Sequence, residues 1–155
     1  MREILFRGKE KESGKWIYGD LRHISDERGG YILCIVDNTN GRNNDVTGVE
    51  VIPNTVGQYT GVTDKNGTKI FEGDIVKAVT HSTEIYVEAV KFENGAFWFK
   101  NWTWIKFRFK FEKVEVIGNI YDTPELLRGA MKPAATDVAQ SGLAPATENF
   151  LLQEA

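Results

Sequence analysis

Glycine divides this chain into short segments, and this limits the folds that the chain can adopt. Of the 15 glycines, 13 lie in residues 1–118, where they separate short runs rich in Val, Ile, Phe, Tyr and Trp. These residue types favour strands. Closely spaced turns between such runs are typical of an all-β domain. We therefore predict an all-β fold for a chain of 155 residues, which is long enough to bury a core.

The spacing of apolar residues predicts the individual strands. Residues 15–21 alternate, with Trp16 and Tyr18 on one face, and residues 103–111 alternate strictly over their whole length. A period of two at this length indicates a strand. The continuous apolar run at residues 30–36 predicts a central strand that is buried on both faces.

Local sequence signals predict two hairpin turns and a helix after the last strand. The pairs at 66–67 and 94–95 suit tight hairpin turns. Residues 113–121 form the last predicted strand, and Thr123-Pro124 then begins a short helix, with Thr123 as its cap.

Two segments lack a strand pattern. Residues 37–48 contain four Asn and a single apolar residue, which predicts a long exposed loop. Residues 129–155 contain seven Ala and one aromatic residue, Phe150, which predicts a flexible tail. We expect Phe150-Leu151-Leu152 to dock into a groove of a neighbouring subunit, so we expect a homo-oligomer.

Charge and composition exclude several classes of protein. The 19 positive and 22 negative side chains give a net charge of −3, so overall charge draws the chain neither to nucleic acid nor to a membrane surface. The longest apolar run, residues 31–36, is too short to span a membrane, and residues 1–6 lack the apolar stretch of a signal peptide. A single cysteine fits a reducing compartment, and we expect a cytoplasmic location.

Catalytic and metal-binding motifs give no positive signal. His23 and His81 are the only histidines. Neither stands at the spacing from other potential ligands that a metal site requires, so we interpret both as surface residues. Cys34 lies within an apolar run, which is typical of a buried and unreactive thiol. The chain has no phosphate-binding loop and no nucleophile elbow. We therefore expect no metal, no cofactor and no enzymatic activity.

Three carboxylates leave one enzymatic alternative open. Asp64, Glu72 and Asp74 lie close together in sequence, and two acids at i and i+2 can share a strand face. Acids in turns also occur because Asp bonds its own backbone.

The most unusual local feature combines aromatic rings with cations. Residues 97–111 contain 8 of the 18 aromatic residues, and residues 100–113 carry five positive charges against one negative. Such a surface can stack bases and hold phosphates. Lysine and arginine also protect an edge strand from pairing with other chains. The candidate binding residues are Trp102, Trp104, Lys106, Arg108 and Lys110.

Three separated blocks resemble the YopX family. They are residues 2–7 (REILFR), residues 51–76 with VIPNTVGQYTG, DKNG and IFEGDIV, and residues 114–127 with VEVIGNIY and PELL. The resemblance covers about residues 1–128 in the expected order, and its departures are Val62-Thr63 and the added tail.

The resemblance implies a fold and an origin but no active site. It implies a small, mainly β protein of bacteriophages and prophages, with no activity or catalytic residues to carry over. We expect two packed β-modules at about residues 1–55 and 56–121. The resemblance implies that the second is an SH3-like barrel, followed by the short helix and the tail.

The sequence therefore predicts a protein that acts by binding. The favoured hypothesis is a non-enzymatic phage or prophage accessory protein that binds a host protein, a small molecule or itself. The alternative is a module that binds single-stranded nucleic acid through the aromatic-basic residues 103–111.

Overall fold

The fold consists of two antiparallel sheets, which confirms the all-β class. A computed structural model describes residues 1–37, 48–103 and 111–129. The first sheet has the order β4-β3-β2-β1-β5-β6, and the second has the order β10-β9-β8-β7-β11. Three predicted segments lie largely outside the described residues: the loop at 37–48 except for its two end residues, most of the strand at 103–111, and the tail at 129–155 except for Gly129.

Most of the strands are short, as the spacing of the glycines predicts. The first sheet contains β1 (Phe6–Lys9), β2 (Trp16–Ser25), β3 (Tyr31–Val36), β4 (Val49–Glu50), β5 (Gly57–Thr63) and β6 (Lys69–Phe71). The second contains β7 (Asp74–Thr80), β8 (Ile85–Glu93), β9 (Ala96–Phe99), β10 (Trp102–Thr103) and β11 (Phe111–Asn119). A 3-10 turn spans Pro53–Thr55, and helix α1 spans Glu125–Gly129.

The chain passes from the first sheet to the second between β6 and β7. Gly73 lies at this point with a φ of 82°, a left-handed conformation that favours glycine. The predicted module boundary near residue 55 falls inside the first sheet, because β5 pairs with β1. Neither sheet closes on itself among the described residues, so the SH3-like barrel is not confirmed.

The hydrophobic core lies between the second sheet and the hairpin of β5 and β6. Its members are buried apolar side chains: Ile70, Val76, Ala78, Val90, Phe97, Phe99 and Phe111. The rings of Phe99 and Phe111 pack edge to face with centroids 5.5 Å apart, a favoured geometry for aromatic pairs. Burial of these side chains holds the hairpin against the second sheet.

Local sequence signals predicted the hairpins better than they predicted burial. β5 pairs with β6 around Asn66-Gly67, and β8 pairs with β9 around Asn94-Gly95, where both residues have positive φ as a type I′ turn requires. The prediction that residues 30–36 form a strand buried on both faces is wrong for most of the strand. In β3 only Cys34 and Ile35 are buried, and Tyr31 is 74% exposed, because β3 has only the two-residue β4 beyond it.

The helix forms where predicted, but Thr123 does not cap it through its side chain. The Thr123 hydroxyl donates to the Asn119 carbonyl and accepts from the Asn119 N–H, so it closes the turn before α1. Among the described residues, no helix is long and apolar enough to cross a membrane.

Candidate binding cleft between the two sheets

Strand β1 places Arg7 beside the point where the chain changes sheets. Arg7 lies opposite Tyr18 on β2 and opposite Gly57 on β5. A Cβ at Gly57 would lie 2.5 Å from the carbonyl oxygen of Glu72, so glycine is required for this close approach. The approach brings the backbone around Glu72 next to the Arg7 side chain.

Arg7 forms a buried ion pair that joins the two sheets. Its Nη2 lies 2.6 Å from Oδ1 of Asp74, the first residue of β7, and also donates to the Glu72 carbonyl at 3.2 Å. The other carboxylate oxygen, Oδ2, accepts from the Phe71 N–H at 2.7 Å. Arg7 is 6% exposed and Asp74 is 1% exposed, so both charges are withdrawn from water.

Two aromatic rings flank the guanidinium. Its Cζ lies 4.6 Å from the ring centroid of Trp16 and 4.9 Å from that of Phe71. Such cation–π contacts stabilise a cation that has lost water. The Nε of Arg7 is buried and has no hydrogen-bond partner among the described residues.

Arg7 and Asp74 line an open cleft between the sheets. The cleft, here named the inter-sheet cleft, has a volume of about 340 Å³. Residues of both sheets form it, among them Leu5, Arg7, Tyr18, Phe71, Asp74 and Val116. Tyr18 is 45% exposed, and its ring packs edge to face on Phe71 at 5.6 Å. A concave, mostly apolar site with a few polar groups is typical of small-molecule binding.

The charges that line the inter-sheet cleft are paired. Burial raises the pKa of Asp74, and the adjacent Arg7 charge opposes this rise without cancelling it. The Lys69 ammonium pairs with Glu3 at 2.6 Å. The cleft thus contains buried polar groups, and the charges of Arg7, Asp74 and Lys69 are all compensated.

A second polar cluster fixes the Trp16 ring against which Arg7 packs. The Trp16 Nε1 donates to Oδ2 of Asp122 at 2.8 Å, and the Asn119 amide donates to the same oxygen at 2.8 Å. Lys9 forms an ion pair with the other carboxylate oxygen. The Lys9 hydrogen bond, with those from Asn119 and Trp16, lowers the pKa of Asp122 to about 2.

The Asp64 carboxylate accepts hydrogen bonds from backbone N–H groups. Its Oδ1 accepts from the N–H groups of Asn66 and Thr68, and its Oδ2 accepts from Val116 on β11 at 3.1 Å. Burial acts to raise the pKa of Asp64, but the backbone donors outweigh burial and lower it. Asp64 therefore closes its turn and attaches that turn to the second sheet.

Glu72 and Asp74 line different clefts. Glu72 lines a groove of about 350 Å³ together with Tyr121 and Leu127, whereas Asp74 lines the inter-sheet cleft. Burial raises the pKa of Glu72 and also that of Tyr121, which the Glu72 charge raises further. The described residues contain no group of three or more His, Cys, Asp or Glu that could hold a metal ion.

The binding residues predicted from the sequence fall at the edge of what is described. The backbone of Trp102 lies in β10 and pairs with Phe99. Trp104, Lys106, Arg108 and Lys110 lie outside the described residues.

Cys34 and the two histidines do not lie in surroundings typical of a catalytic or metal-binding site. Cys34 is 1% exposed, and burial together with the nearby Glu50 charge raises the pKa of its thiol. A high thiol pKa disfavours the nucleophilic thiolate. His23 and His81 are both exposed, as predicted.

Reasoning from sequence did not find the inter-sheet cleft. Arg7 and Glu72 are 65 residues apart, and nothing in a single sequence indicates that they meet. The available signal was an arginine inside a β-strand whose neighbours are apolar, which requires an acidic partner elsewhere when it is buried.

Comparisons with known proteins agree with this architecture. The family model described as YopX protein matches residues 5–128. Among solved structures, the chain is similar to protein EF1440 from Enterococcus faecalis, with 22% identity and a TM-score of 0.52. The alignment covers 82% of this chain and 99% of that chain, and at this identity it shows the fold alone. No curated protein matches the chain.

Proposed function

The chain belongs to the YopX family, and we propose that it is a non-enzymatic accessory protein of a bacteriophage or prophage that works in the host cytoplasm by binding. We further propose that the inter-sheet cleft is the binding site for a small molecule. The observation that carries this proposal is the buried pair of Arg7 and Asp74, which lines an open cleft whose other walls are mostly apolar.

Two of the three carboxylates that a hydrolase would need, Asp64 and Asp74, support a binding protein instead. Asp64 is occupied by three backbone N–H groups, and Asp74 is occupied by Arg7 and the Phe71 N–H. A general base must be able to reach a substrate proton. These two side chains are already used to hold the turn and the two sheets.

Equilibrium dialysis against a metabolite extract of a bacterial host tests the proposal. Mass spectrometry of the two chambers should show at least one compound enriched by the wild-type protein. Tyr18→Ala removes an exposed aromatic wall of the cleft and should abolish the enrichment. Tyr31→Ala, an exposed tyrosine of β3 outside this cleft, serves as the matched control and should retain it.

Two results would contradict the proposal. Equal enrichment by wild-type protein and Tyr18→Ala would mean that the cleft is not the site. Conversion of a compound in molar excess over the protein would mean that the protein is an enzyme.

A module that binds single-stranded nucleic acid is the second candidate. Lys65, Lys77 and Lys113 line a depression of about 110 Å³ with Glu115, and Lys113 follows the aromatic-basic segment in sequence. Fluorescence anisotropy with a labelled oligothymidylate should then show binding that weakens as salt is added. Binding that persists unchanged in Trp104→Ala/Lys106→Ala would contradict this candidate.

A further inference from the structure

We propose that the inter-sheet cleft selects a neutral planar molecule with a carbonyl oxygen over an anion or a cation of the same shape. This inference rests on the proposed function, because it names the ligand class of the same cleft. Three properties of the cleft lead to it: paired charges, unused hydrogen-bond donors and aromatic walls.

The pairing of charges disfavours a charged ligand. Asp74 lies 2.6 Å from Nη2 of Arg7, and Glu3 lies 2.6 Å from Nζ of Lys69. An anion would meet an arginine whose charge Asp74 already compensates, and a cation would meet a carboxylate whose charge Arg7 already compensates, so neither would gain a partner for its own charge. A charge withdrawn from water without a partner is strongly unfavourable.

The unused donors favour a ligand that accepts hydrogen bonds. An arginine has five N–H donors. Within the described part of the chain, the hydrogen bond and the ion pair of Arg7 both use Nη2, which leaves the Nη1 N–H groups without a partner there, whereas Nε is buried out of a ligand's reach. The Asn119 amide is engaged, since Nδ2 donates to Asp122 and Oδ1 accepts from the Tyr121 and Asp122 N–H groups. A ligand carbonyl would supply an acceptor that the protein does not.

The walls favour a flat ring and disfavour a cation. The Tyr18 and Phe71 rings, with the apolar side chains of Leu5 and Val116, form the apolar part of the cleft. A cationic ligand would seek an aromatic face, but the Arg7 guanidinium already lies 4.9 Å from the Phe71 centroid.

Three probes of nearly equal size and shape separate these properties at pH 7. Benzamide is neutral and carries a carbonyl acceptor, benzoate is an anion, and benzamidine is a cation without an acceptor. Each is titrated into the isotope-labelled full chain, and amide chemical shifts report both affinity and site. We expect benzamide to shift the amides of Tyr18 and Phe71, and to bind about tenfold more tightly than either charged probe.

Substitution of Asp74 tests the role of charge pairing. Asp74→Asn leaves the Arg7 charge uncompensated, so the preference should change from benzamide to benzoate. Tyr18→Ala should weaken all three probes, and Tyr31→Ala should leave all three unchanged. If Asp74→Asn does not fold, the selectivity of the wild-type protein decides the question.

The possible results separate this inference from the proposed function. Benzoate or benzamidine binding in the cleft as tightly as benzamide would overturn the inference and leave the cleft as a binding site. If none of the three probes shifts the cleft amides, the inference and the assignment of the site both fail.

Discussion

The Arg7 guanidinium and the Asp74 carboxylate lie 2.6 Å apart and join β1 of the first sheet to β7 of the second. Asp74 also accepts the N–H of Phe71, so the pair fixes the two-residue connection between β6 and β7. The same two side chains line the inter-sheet cleft. The contact that holds the sheets together therefore also defines the polar part of the candidate site.

Removal of Arg7 should strongly destabilise the fold. Arg7→Met keeps the apolar stem but leaves the Asp74 carboxylate buried without its cation, which should cost about 3–5 kcal/mol in a urea melt. Lys69→Met breaks the exposed pair with Glu3 and should cost less than about 1 kcal/mol. The double variant Arg7→Met/Asp74→Asn should recover part of the loss. A loss for Arg7→Met as small as that for Lys69→Met would show that the pair does not hold the sheets together.

Asp122 should make stability fall at acid pH. Its pKa is about 2 in the folded protein, below the ordinary value near 4 of an unfolded chain. The unfolded state therefore takes up a proton first as the pH falls, so this contribution to stability is complete above about pH 4 and is lost towards pH 2. The difference in melting temperature between wild type and Asp122→Asn should shrink over this range. A difference that stays constant from pH 5 to pH 2 would argue against the lowered pKa.

Asp64 should act as a structural residue. Asp64→Ala leaves the N–H groups of Asn66, Thr68 and Val116 without their acceptor, and should cost at least about 2 kcal/mol of unfolding free energy. Asp26→Ala is a matched control, because the Asp26 side chain accepts from Arg28 and Gly30 within its own turn and from no other described residue. Asp26→Ala should lower the free energy of unfolding by less than Asp64→Ala, since it breaks no bond to the other sheet. Equal losses would mean that the bond from Asp64 to β11 contributes little.

Chelation should not affect the folded protein. The sequence has no metal-ligand spacing, so we expect EDTA to leave the melting temperature unchanged within about one degree. Differential scanning fluorimetry with and without excess EDTA measures this. A fall of several degrees that added zinc reverses would reveal a structural metal.

Deletion of residues 129–155 should lower the number of subunits in the assembly. The tail ends in Phe150-Leu151-Leu152, an apolar segment suited to docking in a groove of another copy. Light scattering after size-exclusion chromatography gives the subunit number of the full chain and of the shortened chain. Phe150→Ser/Leu151→Ser tests the apolar segment at full length. An unchanged subunit number in both variants would contradict the prediction.

The sequence by itself determined the class of the fold and most of its hairpins. Alternation places residues on the two faces of a strand, and Asn-Gly favours the positive φ values that Asn94 and Gly95 adopt. Both signals act over a few residues, so a single sequence contains them. The three blocks that resemble the YopX family were also visible there, and the family match over residues 5–128 confirms the family.

Only the tertiary structure decided where the sheets meet and what lies between them. β5 returns to β1 rather than joining the second sheet, and this pairing brings Arg7 to Glu72 and Asp74 across 65 or more positions of the chain. In the folded chain Glu72 and Asp74 line different clefts, although they are two residues apart in sequence. Long-range pairing depends on which apolar faces are buried together, and this is a property of the whole chain that local patterns do not encode.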